Sequence, residues 1–206
     1  MSNTPWQRTA FTAGPLFIAA YGLIRLADQK RGPGFAWSLG HLCLLASVLC
    51  FVAVMLGLRR VAVHGAGRAG RWLAGVGTGV GLLGAAAVTV QAVIDLVAGF
   101  LSEDREAMNE IFHRVKDHAG VEPAVYTVGP LLFYVGLVLL VGQLAALRRI
   151  AVWRPAVVVA AIVAMGVSLD LLPLGGLLFL LVFAPLGRQT DGKEHRPRTM
   201  SLPTGS

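Results

Sequence analysis

The chain has 206 residues, of which 55% are hydrophobic and only 14% are charged, and its formal net charge is +7. A soluble domain normally carries about 25% charged residues, so this composition excludes an ordinary soluble globular protein, and its low polarity excludes a disordered chain. The composition predicts an all-α, polytopic membrane protein. A basic balance can indicate nucleic acid, but on a chain this apolar we expect no nucleic-acid partner.

Apolar segments follow one another from the start of the chain and predict a single transmembrane helical domain over residues 1–187. We expect six spans, because six stretches approach the length that crosses the ~30 Å hydrocarbon core of a bilayer. The predicted spans lie at about 11–26, 35–58, 72–101, 124–147, 155–170 and 173–187. Residues 188–206 are polar and aperiodic, which predicts a disordered cytoplasmic tail.

The last two spans come from one apolar stretch, residues 155–187. As a single helix it would be about 50 Å long at ~1.5 Å per residue, too long for one crossing. Asp170, Pro173 and the glycines that follow predict a tight helical hairpin over residues 168–176. A re-entrant element is the alternative for this stretch.

The basic residues predict the orientation. With the N-terminus inside, twelve of the 18 lysines and arginines fall on the cytoplasmic side and six on the outer side. A five-span arrangement would reverse this asymmetry. Positive charge concentrates on the cytoplasmic side of membrane proteins. We therefore expect a multi-pass protein of the cell membrane with both termini cytoplasmic, whose inner face meets anionic lipid headgroups.

The segment between the third and fourth spans predicts an amphipathic helix on the outer surface. Ser102 is the expected N-cap, with Glu103 and Asp104 in the first turn. Gly120 and Pro123 are expected to end the helix before the fourth span. Apolar residues recur there at helical spacing: Met108, Ile111, Phe112 and Val115.

The third span is rich in glycine. Small residues at a spacing of four let helix backbones approach closely in lipid. We expect this face to pack against another helix of the bundle, and contact with a second copy of the chain is the alternative. The predicted packing residues are Gly75, Gly77, Gly79, Gly81 and Gly84.

Polar side chains within the spans concentrate near their predicted outer ends. His41, Gln91, Asp95 and Asp170 form a candidate cluster there, which would line one outward cavity if they converge. The residues expected at mid-depth are apolar or small. Ion-coupled carriers usually place ionisable groups near the midplane, so this pattern argues against that class.

Metal and cofactor chemistry find little support in the sequence. The outer histidines and carboxylates could suit zinc, but no zinc-protease motif is present, and we expect no metal site. His41 is the only histidine within a predicted span, so paired axial histidines for haem are unavailable. We expect no cofactor and no catalytic residue. Cys43 and Cys50 are expected to be buried apolar residues.

Two segments carry a resemblance to known sequences. One runs from Trp37 through His41 to Arg60, and the other from Gly129 to Arg149. In these the chain resembles uncharacterised small six-span integral membrane proteins of high-GC bacteria. The resemblance covers most of the membrane region and implies the six-span fold. It implies no site residues.

Three functions agree with these observations. The first is a non-enzymatic membrane subunit with a structural or partner-binding role, whose partners are membrane lipids together with a second copy of the chain or another membrane protein. The second is a small-solute or lipid permease with an outward-facing polar cavity. The third is a membrane-embedded, metal-dependent enzyme with its metal at the outer face.

Overall fold

A computed structural model describes residues 5–28 and 31–189 of the chain. These residues are helical or lie in short connections, and none of them is in a strand. A π-helical segment, Glu122–Val128, precedes α5, and a 3-10 turn, Leu169–Leu171, precedes α7. The α-helices are α1 (Pro5–Ala27), α2 (Phe35–Val63), α3 (Arg68–Leu101), α4 (Arg105–Lys116), α5 (Gly129–Ala146), α6 (Trp153–Val167) and α7 (Leu172–Gln189).

All the helices except α4 form a ring. α1 packs against α2 and α7, α2 against α3, α3 against α5, and α6 against both α5 and α7. α2 also contacts α5 across the ring. We call the end that carries the connections 28–34, 102–121 and 168–171 the α4 end. The opposite end, with connections 64–67 and 147–152, is the arginine end.

Five stretches of helix are long and apolar enough to cross a membrane, and they correspond to α1, α2, α3, the π segment with α5, and the 3-10 turn with α7. α6 is apolar but shorter, with 15 residues or a length of about 22 Å. It ends at Val167, before the predicted limit of residue 170. The predicted hairpin thus exists as two packed antiparallel helices of unequal length.

The turn of this hairpin corrects a sequence prediction. The chain reverses over Ser168–Leu171, and Pro173 and the two glycines already belong to α7. The glycines are needed for close packing, not for the turn. A Cβ at Gly175 would lie 2.4 Å from the Met165 side chain, and one at Gly176 would lie 2.6 Å from the backbone of Ala19.

Helix boundaries differ from prediction at the arginine end. α1 starts at Pro5, although the apolar run starts near residue 11, and Gln7 in this first turn is buried. The Arg60 guanidinium donates a 2.7 Å hydrogen bond to Gln7 Oε1, which allows the polar turn to pack against α2. α7 continues to Gln189, so the first two residues of the predicted tail are helical. The rest of that tail lies outside the described residues.

Aromatic rings fill the middle of the ring of helices. Phe51 lies at the centre, with ring centroids 5.7 Å from Phe133, 5.5 Å from Phe179 and 5.8 Å from Phe183. All four side chains are almost fully buried. Edge-to-face contacts of this kind stabilise by about 0.5–1.5 kcal/mol each beyond the burial of their area. The middle of the bundle is therefore packed with apolar side chains.

The five predicted packing glycines of α3 divide into two sets. Gly77, Gly81 and Gly84 face α5, where a Cβ at Gly84 would lie 2.1 Å from the backbone nitrogen of Phe133. Gly75 and Gly79 have open space where a Cβ would stand. Packing inside the bundle explains the three glycines that face α5, whereas Gly75 and Gly79 make no close contact within the bundle.

α4 forms as an amphipathic helix with Met108 buried, but its N-cap is not Ser102. The Asp104 carboxylate accepts a 2.8 Å hydrogen bond from the Ala107 backbone, which makes Asp104 the cap. The Ser102 hydroxyl instead donates to the Ala98 carbonyl and ends α3. Gly120, with φ of 85°, then turns the chain into the π segment.

Candidate functional site

Two of the predicted polar residues meet at the α4 end. His41 of α2 and Asp95 of α3 face each other, with Nε2 of the imidazole 3.4 Å from Oδ2 of the carboxylate. The side chains are only 6% and 11% exposed. Buried polar groups need partners, because leaving one unpaired is unfavourable by several kcal/mol. This contact therefore joins α2 to α3 at the α4 end.

Hydrogen bonding holds the His41 ring in place. Nδ1 is 2.8 Å from the carbonyl oxygen of Trp37, one helical turn earlier, and donates to it. This orientation leaves Nε2 facing the Asp95 carboxylate.

Trp37 forms one wall of this site. Its indole Nε1–H donates a 2.8 Å hydrogen bond to the Asp95 carbonyl, and its ring lies 4.3 Å from the His41 ring. Gly99 makes room for it, since a Cβ there would stand 2.4 Å from the indole. The sequence analysis assigned no site role to Trp37. The spacing of four between Trp37 and His41 was the available signal that they share a face.

An open cavity of about 280 Å³ lies between this site and α4. Asp95 and Trp37 line it from the bundle, and the remaining walls come from α4 and the π segment. The Tyr126 hydroxyl is buried beside the Asp95 carboxylate. The sequence analysis counted His113 of α4 among the outer histidines, and it assigned no site role to the other lining residues, Asn109, Phe112, Lys116 and Tyr126.

The other two members of the predicted cluster do not join this pair. Asp170 lies in the 168–171 turn, where its carboxylate is 3.3 Å from the Arg31 guanidinium and half exposed. Gln91 lies one helical turn before Asp95 and is half-buried, with no hydrogen bond to its side chain among residues 5–28 and 31–189. A smaller cavity of about 20 Å³, room for one water molecule, lies beside His41 and Tyr21.

The site does not assemble a metal centre from the described residues. Among them, no three His, Cys, Asp or Glu side chains come together in a way that could hold an ion. His41 and Asp95 contact each other directly, while His118 bonds to the Arg114 carbonyl at the surface. The arrangement can present a carboxylate, an amide and aromatic side chains to a small ligand.

Comparison with protein-family models, with curated proteins and with solved structures finds no match to this chain.

Proposed function

We propose that the chain is a multi-pass protein of the cell membrane with six spans and both termini in the cytoplasm. The five long apolar helices support membrane embedding. The position of α6 between α5 and α7 in the ring supports its role as a sixth, shorter crossing. The excess of arginine and lysine at the arginine end supports placing that end inside.

Within this membrane we propose a non-enzymatic subunit with a structural or partner-binding role, which acts through its outer, α4 end. The observation that carries this proposal is the Phe51-centred cluster, because a permease needs a polar path through the level that these rings fill. The cavity lined by Asp95 lies at the α4 end, between α4 and the bundle. A protein that binds at one surface without moving a solute fits this arrangement better than a permease.

The partners in this proposal are membrane lipids and a second membrane helix. Large apolar side chains such as Leu83, Val90 and Leu177 point outward and would contact lipid acyl chains. The open positions Gly75 and Gly79 would allow a helix of a second copy or of another protein to approach α3 closely. Lipids would cover the rest of the perimeter.

Labelling of single cysteines tests the topology. Cys43 and Cys50 are first replaced by alanine, and one cysteine is then introduced as Glu106→Cys in α4 or as Gly67→Cys in the 64–67 connection. A membrane-impermeant maleimide added to intact cells should label the cysteine at 106 and leave the one at 67 unlabelled until the membrane is opened. The reverse pattern, or labelling at both positions, would refute the proposed orientation.

Crosslinking tests the partner-binding role. A photoreactive residue at Glu110, which is exposed on α4, should crosslink to a defined partner in native membranes, whereas one at Arg68, exposed at the arginine end, should not. Purified protein in sealed liposomes should support no solute flux above empty liposomes. Flux without any crosslink at 110 would favour the permease.

Disulfide trapping tests whether a second copy of the chain contacts α3. In the cysteine-free background, Gly79→Cys should give a covalent dimer on mild oxidation. Gly142→Cys is the matched control, because position 142 on α5 also has open space around it. Equal dimer formation at both positions would indicate random collision and would remove α3 as the contact surface.

A further inference from the structure

The cavity beneath α4 has aromatic walls. Trp37 and Phe112 lie next to each other, with ring centroids 6.2 Å apart and ring planes tilted by 48°, and Tyr126 lines the cavity from the π segment. The face of an aromatic ring carries partial negative charge and attracts cations at distances of up to about 6 Å. Three aromatic side chains around one small space are the arrangement that recognises organic cations, and substituted ammonium groups above all.

A carboxylate completes this arrangement. Asp95 lines the same cavity and is largely shielded from water, so its charge is poorly screened. One of its oxygens faces His41, and the carboxylate keeps acceptor capacity for a second partner. The Tyr126 hydroxyl lies beside the same carboxylate and adds a second polar group to the cavity wall.

A cation of the chain itself already lies at the edge of this cavity. The Lys116 ammonium is 5.0 Å from the centroid of the Tyr126 ring and 3.8 Å from a carboxylate oxygen of Glu122. The surrounding surface is acidic, which raises the local concentration of cations. The carboxylates of α4 and its flanks are Glu103, Asp104, Glu106, Glu110, Asp117 and Glu122, against the basic residues Arg105, Arg114 and Lys116.

We propose that this cavity binds a small organic cation with a substituted ammonium group, with Asp95 as its counter-ion and Trp37, Phe112 and Tyr126 as its walls. The volume of about 280 Å³ is at the lower limit of ligand pockets, which suits a small molecule or a headgroup. The group can belong to a free solute or to a zwitterionic lipid. The inference deepens the proposed function by naming what the α4 end binds, and it rests on that function for the site's position at the membrane surface.

Tryptophan fluorescence tests the proposal with the full chain in a maltoside detergent, which carries no ammonium group. Replacement of Trp6, Trp72 and Trp153 by phenylalanine leaves Trp37 as the reporter. Titration with choline should give a saturable change in emission. Inorganic phosphate should give none, and a saturable response to phosphate without one to choline would overturn the proposal.

Three variants then identify the binding groups. Phe112→Leu removes one ring and should weaken choline binding about 3- to 10-fold. Asp95→Asn should weaken it more than about 10-fold. Lys116→Gln removes the competing cation and should tighten binding about 3-fold. Arg114→Gln is the matched control, since this side chain is exposed on α4 and should leave the affinity unchanged.

Asp95→Asn also alters the contact with His41. If Asp95→Asn fails to fold, the results for Phe112→Leu and Lys116→Gln decide the test. A choline response that is absent, or equal in Phe112→Leu and the parent chain, would overturn the proposal.

Nanodiscs of different lipid composition distinguish the two possible sources of the ammonium group, a free solute and a lipid headgroup. Choline binding in phosphatidylglycerol that disappears in phosphatidylcholine indicates a lipid headgroup, and binding in both indicates a free solute. Failure of the topology labelling would leave this binding result intact.

Discussion

His41 and Asp95 join α2 to α3 through a contact of 3.4 Å between Nε2 and Oδ2 that is almost closed to solvent. Because Nδ1 is occupied by the Trp37 carbonyl, only Nε2 is free to face the carboxylate. Replacing His41 should therefore affect stability differently from replacing Asp95. Removing His41 leaves the Asp95 carboxylate buried without its partner, whereas replacing Asp95 by asparagine keeps a hydrogen-bonding group beside Nε2.

We expect an unequal effect of replacing the two partners. His41→Leu leaves the Asp95 carboxylate buried and unpaired and should lower the free energy of unfolding by about 3 kcal/mol. Asp95→Asn leaves a neutral imidazole beside an amide that can donate to it, and should lower it by only about 1 kcal/mol. Denaturant titration in detergent micelles measures both values.

The double variant is the control for this prediction. His41→Leu combined with Asp95→Asn removes the buried charge, so it should be less destabilised than His41→Leu alone by about 1–2 kcal/mol. If the two single variants are equally stable, or if their effects simply add, the contact between His41 and Asp95 does not contribute to stability in the way described.

The sequence predicted the long helices of this fold because each is a continuous apolar run of span length. It could not predict that His41 and Asp95 touch while Gln91 and Asp170 stay apart. That outcome depends on how α2 and α3 are rotated and on where the 168–171 turn lies. Both are set by packing between segments far apart in the chain, such as Gly99 beneath the Trp37 indole.

Alanine at two glycines of α3 should give opposite results. A Cβ at Gly84 would stand 2.1 Å from the Phe133 nitrogen, so Gly84→Ala must push α5 away and should lower the free energy of unfolding by about 1–3 kcal/mol. Gly79→Ala meets open space and should be neutral or slightly stabilising, since alanine favours helix.

Thermal unfolding in detergent compares these glycine variants. Gly142→Ala on α5 is a further control that should behave like Gly79→Ala. Strong destabilisation by Gly79→Ala would mean that this face is already occupied, either within the bundle or by a second copy that survives in detergent. Repeating the measurement at several protein concentrations separates these cases.

The start of α4 offers a local test. Asp104→Ala removes the side chain that accepts from the Ala107 backbone and should weaken the helix by about 0.5–2 kcal/mol. Hydrogen exchange of the amides near Ala107 should then become faster. Ser102→Ala is the matched control, because that hydroxyl bonds to Ala98 in α3 and should leave α4 exchange unchanged. Faster exchange in the Ser102 variant alone would restore Ser102 as the cap.

At the arginine end, Arg149 joins the 147–152 connection to the end of α2. Its guanidinium donates through Nη1 to the Val61 carbonyl and through Nη2 to the His64 carbonyl, where the helix leaves its last acceptors unpaired. A cation here is also favoured by the helix dipole. We therefore expect Arg149→Ala to lower the free energy of unfolding by about 1–2 kcal/mol.

Arg149→Lys keeps the charge, but a lysine ammonium cannot bond to both carbonyls as the planar guanidinium does. Its free energy of unfolding should therefore lie between those of the parent chain and Arg149→Ala. Arg148→Ala is the matched control. Its side chain is exposed, and although its φ is 54°, alanine at that φ is no more strained than arginine. Denaturant titration should give an effect below about 0.5 kcal/mol for this control. Equal losses at 148 and 149 would show that general positive charge, and not the paired hydrogen bonds of Arg149, stabilises this end.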